Sequence, residues 1–91
     1  MPEQTRTITI ASAEGLHARP AKVFAQAAKT AGIPVTVAKA DGTRVNAASI
    51  LAVLSLGAAR GDVVTLSADG ESADSVLDEL QRILETDHDA A

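Results

Sequence analysis

The chain has no cysteine, no tyrosine and no tryptophan, and its one aromatic residue is Phe24. Without cysteine there is no disulfide framework and no thiolate metal site. Two histidines, His17 and His88, are too few for a His-rich metal cage, so neither a metal nor a cofactor is expected. A single ring offers almost no stacking surface for single-stranded nucleic acid. Positive charge is also short. Eight Lys and Arg against 12 Asp and Glu give a net charge of −4, the wrong sign for a phosphate backbone. No apolar run is long enough to span a bilayer, and the polar start Met1-Pro2-Glu3-Gln4-Thr5-Arg6 does not read as a secretory leader. The expectation is a cytoplasmic protein with no nucleic-acid and no membrane partner. Ninety-one residues make one domain, 1–91, with a core over about 5–85 and an acidic tail that frays from Thr86 to Ala91.

Short elements of changing period fill that length. Thr5–Ile10 alternates, Ile8 and Ile10 against Thr7 and Thr9, which reads as a half-buried strand. Ala18 to about Ala31 switches to helical spacing, with Val23, Phe24, Ala27, Ala28 and Ala31 on the apolar side. Gly32 and Pro34 stop it. Pro34–Lys39 and Thr43–Asn46 read as strands joined at the hairpin signal Asp41-Gly42. Ala47–Leu56 is a short helix closed by Gly57, Arg60-Gly61-Asp62 a turn and Val63–Ser67 a fourth strand. A last helix from about Ser72 to Glu85 carries the stripe Ala73, Val76, Leu77, Leu80, Ile83 and Leu84, with Asp78, Glu79 and Glu85 on its polar face. The order β-α-β-β-α-β-α predicts a two-layer α+β sandwich, three helices on one face of a four-stranded antiparallel sheet. Beyond the Asp41-Gly42 hairpin, the pattern leaves strand pairing open.

The stretch with most chemical content is Glu14-Gly15-Leu16-His17-Ala18-Arg19-Pro20-Ala21. Gly15 lets the chain turn, and Pro20 sits in the first helical turn, where a missing N–H costs nothing. His17 is therefore expected at a helix N-terminus, where unsatisfied N–H groups and the positive dipole end favour an anion such as phosphate. Arg19 adds a permanent cation in a first turn that repels cations, which points to an anion nearby. A lone histidine is ordinarily a cap or a solvated side chain. Here Gly15, Arg19 and Pro20 all fit an anion site, and no serine or cysteine nucleophile with a matched acid lies beside it. His17 reads as a nucleophile that takes up a group and passes it on. His88, in Asp87-His88-Asp89, reads as solvated.

The helix around Ser49–Leu56 is apolar on more than one side. Val53 and Leu56 fall together, and Ile50, Leu51 and Leu54 fall elsewhere on its circumference. A short helix on a sheet buries one side. The pattern does not decide whether the C-terminal helix covers the other or whether it stays exposed as a partner site. Ser49 is a good N-cap residue. A phosphate there would put a dianion beside the apolar patch.

Gly15-Leu16-His17-Ala18-Arg19-Pro20-Ala21 resembles the active-site motif of HPr, the histidine-containing phosphocarrier family of the bacterial phosphoenolpyruvate:sugar phosphotransferase system. Val45-Asn46-Ala47-Ala48-Ser49-Ile50-Leu51 and Ser55-Leu56-Gly57 resemble its second signature, and the likeness runs from about Thr5 to Leu84. It implies a βαββαβα open-faced sandwich with sheet order 1-4-2-3, acting as a monomeric carrier rather than an enzyme. It also implies that His17 is phosphorylated on Nδ1 by Enzyme I, with phosphoenolpyruvate as the ultimate donor, and gives the group to the EIIA component of a sugar permease. Arg19 would balance the phosphoryl charge, and Ala18 and Pro20 would shape the helix start. Ile50, Leu51 and Leu54 would dock both partners. Ser49 matches a serine that an ATP-dependent HPr kinase modifies in some bacteria. The resemblance leaves open a nitrogen-regulatory or dihydroxyacetone-kinase phosphorelay. A binding module without phosphate transfer is a further alternative, but such a module needs no histidine. Which sugars are carried is a property of the permeases.

Two residues depart from the family pattern. Ala48 stands before Ser49 where several relatives carry a basic residue, which weakens the kinase site. Glu14 places a carboxylate in the site loop where relatives often have neutral polar residues, and it should repel a phosphoryl group on His17. Glu14→Gln is accordingly expected to lengthen the phosphohistidine lifetime, measured by timed loss of the label from isolated phosphoprotein. An unchanged lifetime would remove that role from Glu14.

Overall fold

A computed structural model describes residues 3–11 and 15–86. Among them the elements run β1 (Gln4–Thr9), α1 (Ala18–Thr30), β2 (Val35–Lys39), β3 (Arg44–Asn46), α2 (Ile50–Ser55), β4 (Val63–Ala68) and α3 (Ala73–Glu85). The sheet order is β1-β4-β2-β3, and every neighbouring pair is antiparallel. The expected α+β sandwich and its 1-4-2-3 order are both present.

Register explains the two faces. Ile8 lies opposite Val64, and Leu66 lies opposite Val37, which in turn faces Val45. This row of β-branched and leucine side chains is the sheet's contribution to the core, completed from the helices by Phe24, Val53, Leu77 and Leu80. The alternate residues pair Thr5 with Ser67, Thr7 with Thr65 and Thr36 with Ser67. The exposed and half-buried threonines of that face let the sheet do without a second covering layer, as antiparallel sheets commonly can, while Ser67 on the central β4 is itself buried and its Oγ makes no hydrogen bond.

α1 departs from the expected phase. Its buried residues are Pro20, Ala21, Phe24, Ala25 and Ala28, while Val23 is 42% exposed. Alanines occur all round this helix and fit either orientation. Phe24 is fully buried, and with Pro20 and Ala21 packed inward it rotates Val23 to the outer side. α2 begins three residues later than expected. Asn46 opens a turn ahead of the helix: its Oδ1 accepts from Ala48 N at 2.9 Å and its carbonyl accepts from Ser49 N at 3.2 Å, and Ser49, in extended conformation, then caps the helix that follows. Asp78 lies on the polar face of α3, as expected, and has a partner there. Arg6, on the helix-facing side of β1, bonds Asp78 and also reaches Asp74 at 3.1 Å, tying the edge strand to α3. The Asp78 bond, more than any other cause, raises the Arg6 pKa further above the ordinary arginine range.

Phe24 has no aromatic neighbour to share its role and no exposed surface. Phe24→Ala is expected to cost about 3–5 kcal/mol, a large share of the total stability of so small a domain. Urea unfolding read by far-UV circular dichroism measures the loss.

Candidate functional site

The site forms where the chain leaving α2 meets the start of α1. Gly15 is buried with φ at +76°, and a Cβ placed there would stand 2.5 Å from the Ala58 carbonyl oxygen and 2.8 Å from Ala59 Cα. Only glycine permits both the backbone angle and the approach. Leu16, buried in the core, follows, and its N–H donates to the Ala58 carbonyl at 2.8 Å. These contacts fix the residue before His17 from two sides.

His17 is the N-cap of α1. Its backbone is extended, with φ −85° and ψ −169°, and its carbonyl accepts the first helical bond from Ala21 N at 3.0 Å. Its half-buried imidazole makes no capping bond, so the ring is not used to finish the helix. The next three residues are Ala18 and Arg19, both exposed, and Pro20, which is buried. Pro20 carries no N–H, which leaves the backbone donors of Ala18 and Arg19 at this end. α1 contains Arg19, Lys22 and Lys29 and no acid, so its start keeps the positive character of the dipole. The chain is net negative, but this helix is not: the acids gather instead on α3, as Asp74, Asp78, Glu79 and Glu85.

α2 packs against α1. Ser49 is its N-cap, and Ser49 Oγ accepts from Ala52 N at 3.2 Å, as expected of that serine. Val53 and Leu56 are buried at 0% and 4% exposure. Ile50 is 41% and Leu51 80% exposed, and Leu54 is half-buried against the core edge. The choice left open by the pattern is settled for Ile50 and Leu51: α3 does not cover them. Because Ala58 lies two residues past the α2 cap Leu56 and holds Leu16, the C-terminal end of α2 adjoins His17. His17, Arg19 and the apolar side of α2 thus occur on two adjoining elements. Glu14 and His88 fall outside the described residues.

Sequence reasoning treated Arg60-Gly61-Asp62 as a plain turn and so missed what the segment 58–62 does. It holds both feet of the site loop. Ile10 N donates to the Asp62 carbonyl at 2.9 Å, Gly61 N to the Ile10 carbonyl at 3.0 Å, and Leu16 N to Ala58. No local signal marks this role, because Gly15 and Leu16 meet the backbone of Ala58 and Ala59, and nothing local says which loop will be held there.

The family model described as "PTS HPr component phosphorylation site" matches residues 4–86. The chain belongs to the HPr family of phosphocarrier proteins. It is 52% identical over 79 residues to a phosphocarrier protein HPr of Streptomyces coelicolor, covering 87% of this chain and 85% of the relative. Its fold superposes on the crystal structure of an HPr from Bacillus anthracis with a TM-score of 0.86 at 30% identity, covering 92% of this chain and 99% of the other. An HPr dimer from Thermoanaerobacter tengcongensis is 41% identical, with a TM-score of 0.70 over 86% of this chain and 88% of the other. A general role as phosphocarrier in the phosphotransferase system follows from membership in the family. No helix among the described residues is long and apolar enough to cross a membrane.

Gly15 and Gly57 allow a paired test of the site loop. Both have positive φ, but nothing lies within 4 Å of a Cβ built at Gly57. Gly15→Ala is expected to destabilise by about 2–4 kcal/mol, through strain and collision together, and Gly57→Ala by about 1–2 kcal/mol, through strain alone. Urea titrations of the two variants compare them directly.

Proposed function

We propose that His17 accepts a phosphoryl group on Nδ1 from phosphorylated Enzyme I and passes it to the EIIA component of a sugar permease. The chain acts in the cytoplasm as a stoichiometric relay and not as an enzyme with its own substrate pocket. The observation that carries this reading is the position of His17: an N-cap residue whose ring takes no part in capping, at the acid-free start of a helix whose next side chains are Ala18 and Arg19.

The chemistry asks little beyond positioning and charge. As the Nδ1 lone pair forms its bond to phosphorus, the bond from phosphorus to the donor breaks, in line. The transferred group brings nearly two negative charges. The backbone N–H groups of Ala18 and Arg19 and the α1 dipole lie on the side where that charge arrives, and the Arg19 guanidinium balances it. Pro20 holds the first turn in shape. Interactions at a helix end are worth about 0.3–2 kcal/mol, enough to orient the group and too little to trap it. That suits a carrier, which must release what it receives.

Ile50, Leu51 and Leu54 serve as the docking surface for donor and acceptor in turn. Arg19 and Lys22, in the first turns of the helix that packs against α2, favour partners with an acidic rim and speed their approach. A single chain carries both His17 and the patch, so the relay needs one copy only. Ser49 is a second modification site if an HPr kinase is present. A phosphate there would sit at the α2 N-terminus beside Ile50 and Leu51, favourable to the helix and obstructive to apolar docking.

Incubation with phosphoenolpyruvate, Mg²⁺ and Enzyme I, followed by intact mass, tests the relay. The expected result is one acid-labile phosphoryl group, absent in His17→Ala. Label that persists in His17→Ala would overturn the assignment. Leu51→Glu should weaken binding of Enzyme I by roughly tenfold or more while the fold is kept, since it puts a charge into an apolar contact.

A further inference from the structure

We propose that Asp62 is a positioning residue for phosphoryl transfer, acting on His17 through a single peptide plane. The proposal rests on the reading of His17 as the phosphoryl acceptor. The peptide between Ala58 and Ala59 is held from both sides. Its carbonyl accepts the Leu16 N–H at 2.8 Å, and its N–H donates to Asp62 Oδ2 at 2.9 Å. A peptide group is rigid and planar, so a bond to its N–H fixes where its C=O points. The carboxylate also polarises the peptide, which makes the carbonyl a better acceptor for Leu16. Leu16 is the residue immediately before His17.

The rest of the turn works in the same direction. Asp62 N donates back to the Ala59 carbonyl at 2.9 Å, closing the turn, and the Asp62 carbonyl accepts Ile10 N at 2.9 Å. Asp62 therefore reaches the end of the site loop through its side chain and the beginning through its backbone. Gly15 cannot compensate by moving inward, because its backbone is already so close to this segment that a Cβ on it would stand 2.5 Å from the Ala58 carbonyl oxygen. If the carboxylate bond is lost, the 58–59 peptide can rotate, the Leu16 anchor loosens, and the His17 ring loses its fixed place against the helix start. Transfer is sensitive to such displacements, because a misplacement of about 1 Å can cost roughly a hundredfold in rate. Docking on α2 should hardly change, since Asp62 lies outside that helix.

Two substitutions separate geometry from charge. Asp62→Asn keeps an acceptor oxygen at the right reach and removes the charge. Asp62→Glu keeps the charge and moves the carboxylate one methylene out of register. The experiment measures phosphorylation by Enzyme I and phosphoenolpyruvate as kcat and KM for the carrier, well below each variant's melting temperature, with the His17 side-chain nitrogen shifts recorded by NMR. The expected result is a kcat about tenfold lower at unchanged KM for Asp62→Glu and Asp62→Ala, and a kcat within about twofold of wild type for Asp62→Asn. The His17 ring shifts should move in the first two variants and stay in the third. Should Asp62→Ala not fold, the Asn and Glu pair still decides the question. The proposal is overturned if Asp62→Glu transfers like wild type, or if Asp62→Asn fails as badly as Asp62→Glu. A purely structural role would lower the melting temperature and leave kcat and the ring shifts in place. If the wild-type chain takes up no phosphoryl group, the carrier reading fails and this one with it. A working wild type with a working Asp62→Glu removes only the role of Asp62.

Discussion

The hydrogen bond from Leu16 N–H to the Ala58 carbonyl is the constraint on which the functional end of the molecule depends. It joins the start of α1 to the chain leaving α2 and so makes two helices into one surface. Its requirements propagate outward. Gly15 must have no side chain because its backbone meets that of Ala58 and Ala59 there. The 58–59 peptide must face the right way, which Asp62 ensures. His17 then stands as the first residue outside a pinned backbone, with an extended conformation that starts the helix and a ring held out of the capping role.

The proposed relay needs an accessible group and a surface that successive partners can use, and the shortness of α2 leaves apolar surface outside the core. α2 has six residues and one buried side, so the rest of its apolar surface remains outside. It is too short to hold together by helical propensity. The Ser49 cap, the Asn46 turn and the packing of Val53 and Leu56 keep it in place. Charge is sorted by helix as well: α1 carries cations and no acid, while Asp74 and Asp78 of α3 are engaged by Arg6.

Much of this was legible in one dimension. Alternation in β1 and the stripe of α3 correspond to the observed elements because each has large apolar residues at unambiguous spacing. The Ser49 cap was legible because capping is a local event. α1 was misphased at Val23 because its alanines carry little information about which side is inward. The early start expected for α2 missed the Asn46 turn and the extended backbone of Ser49, which together hold residues 46–49 out of the helix. The role of Asp62 was invisible because its partner matters only through Leu16, 46 positions earlier in the chain.

The order of residues settled the class of fold, the position of His17 at a helix start and the two-sided apolar character of α2. Each depends on neighbours within about one or two helical turns, where sequence spacing and spatial spacing are nearly the same thing. Folding in three dimensions decided which side of α2 stays in solvent, which way α1 turns and what holds the loop before His17. Those outcomes depend on segments far apart in the chain competing for the same core and the same backbone bonds, and no local pattern says which of them will meet.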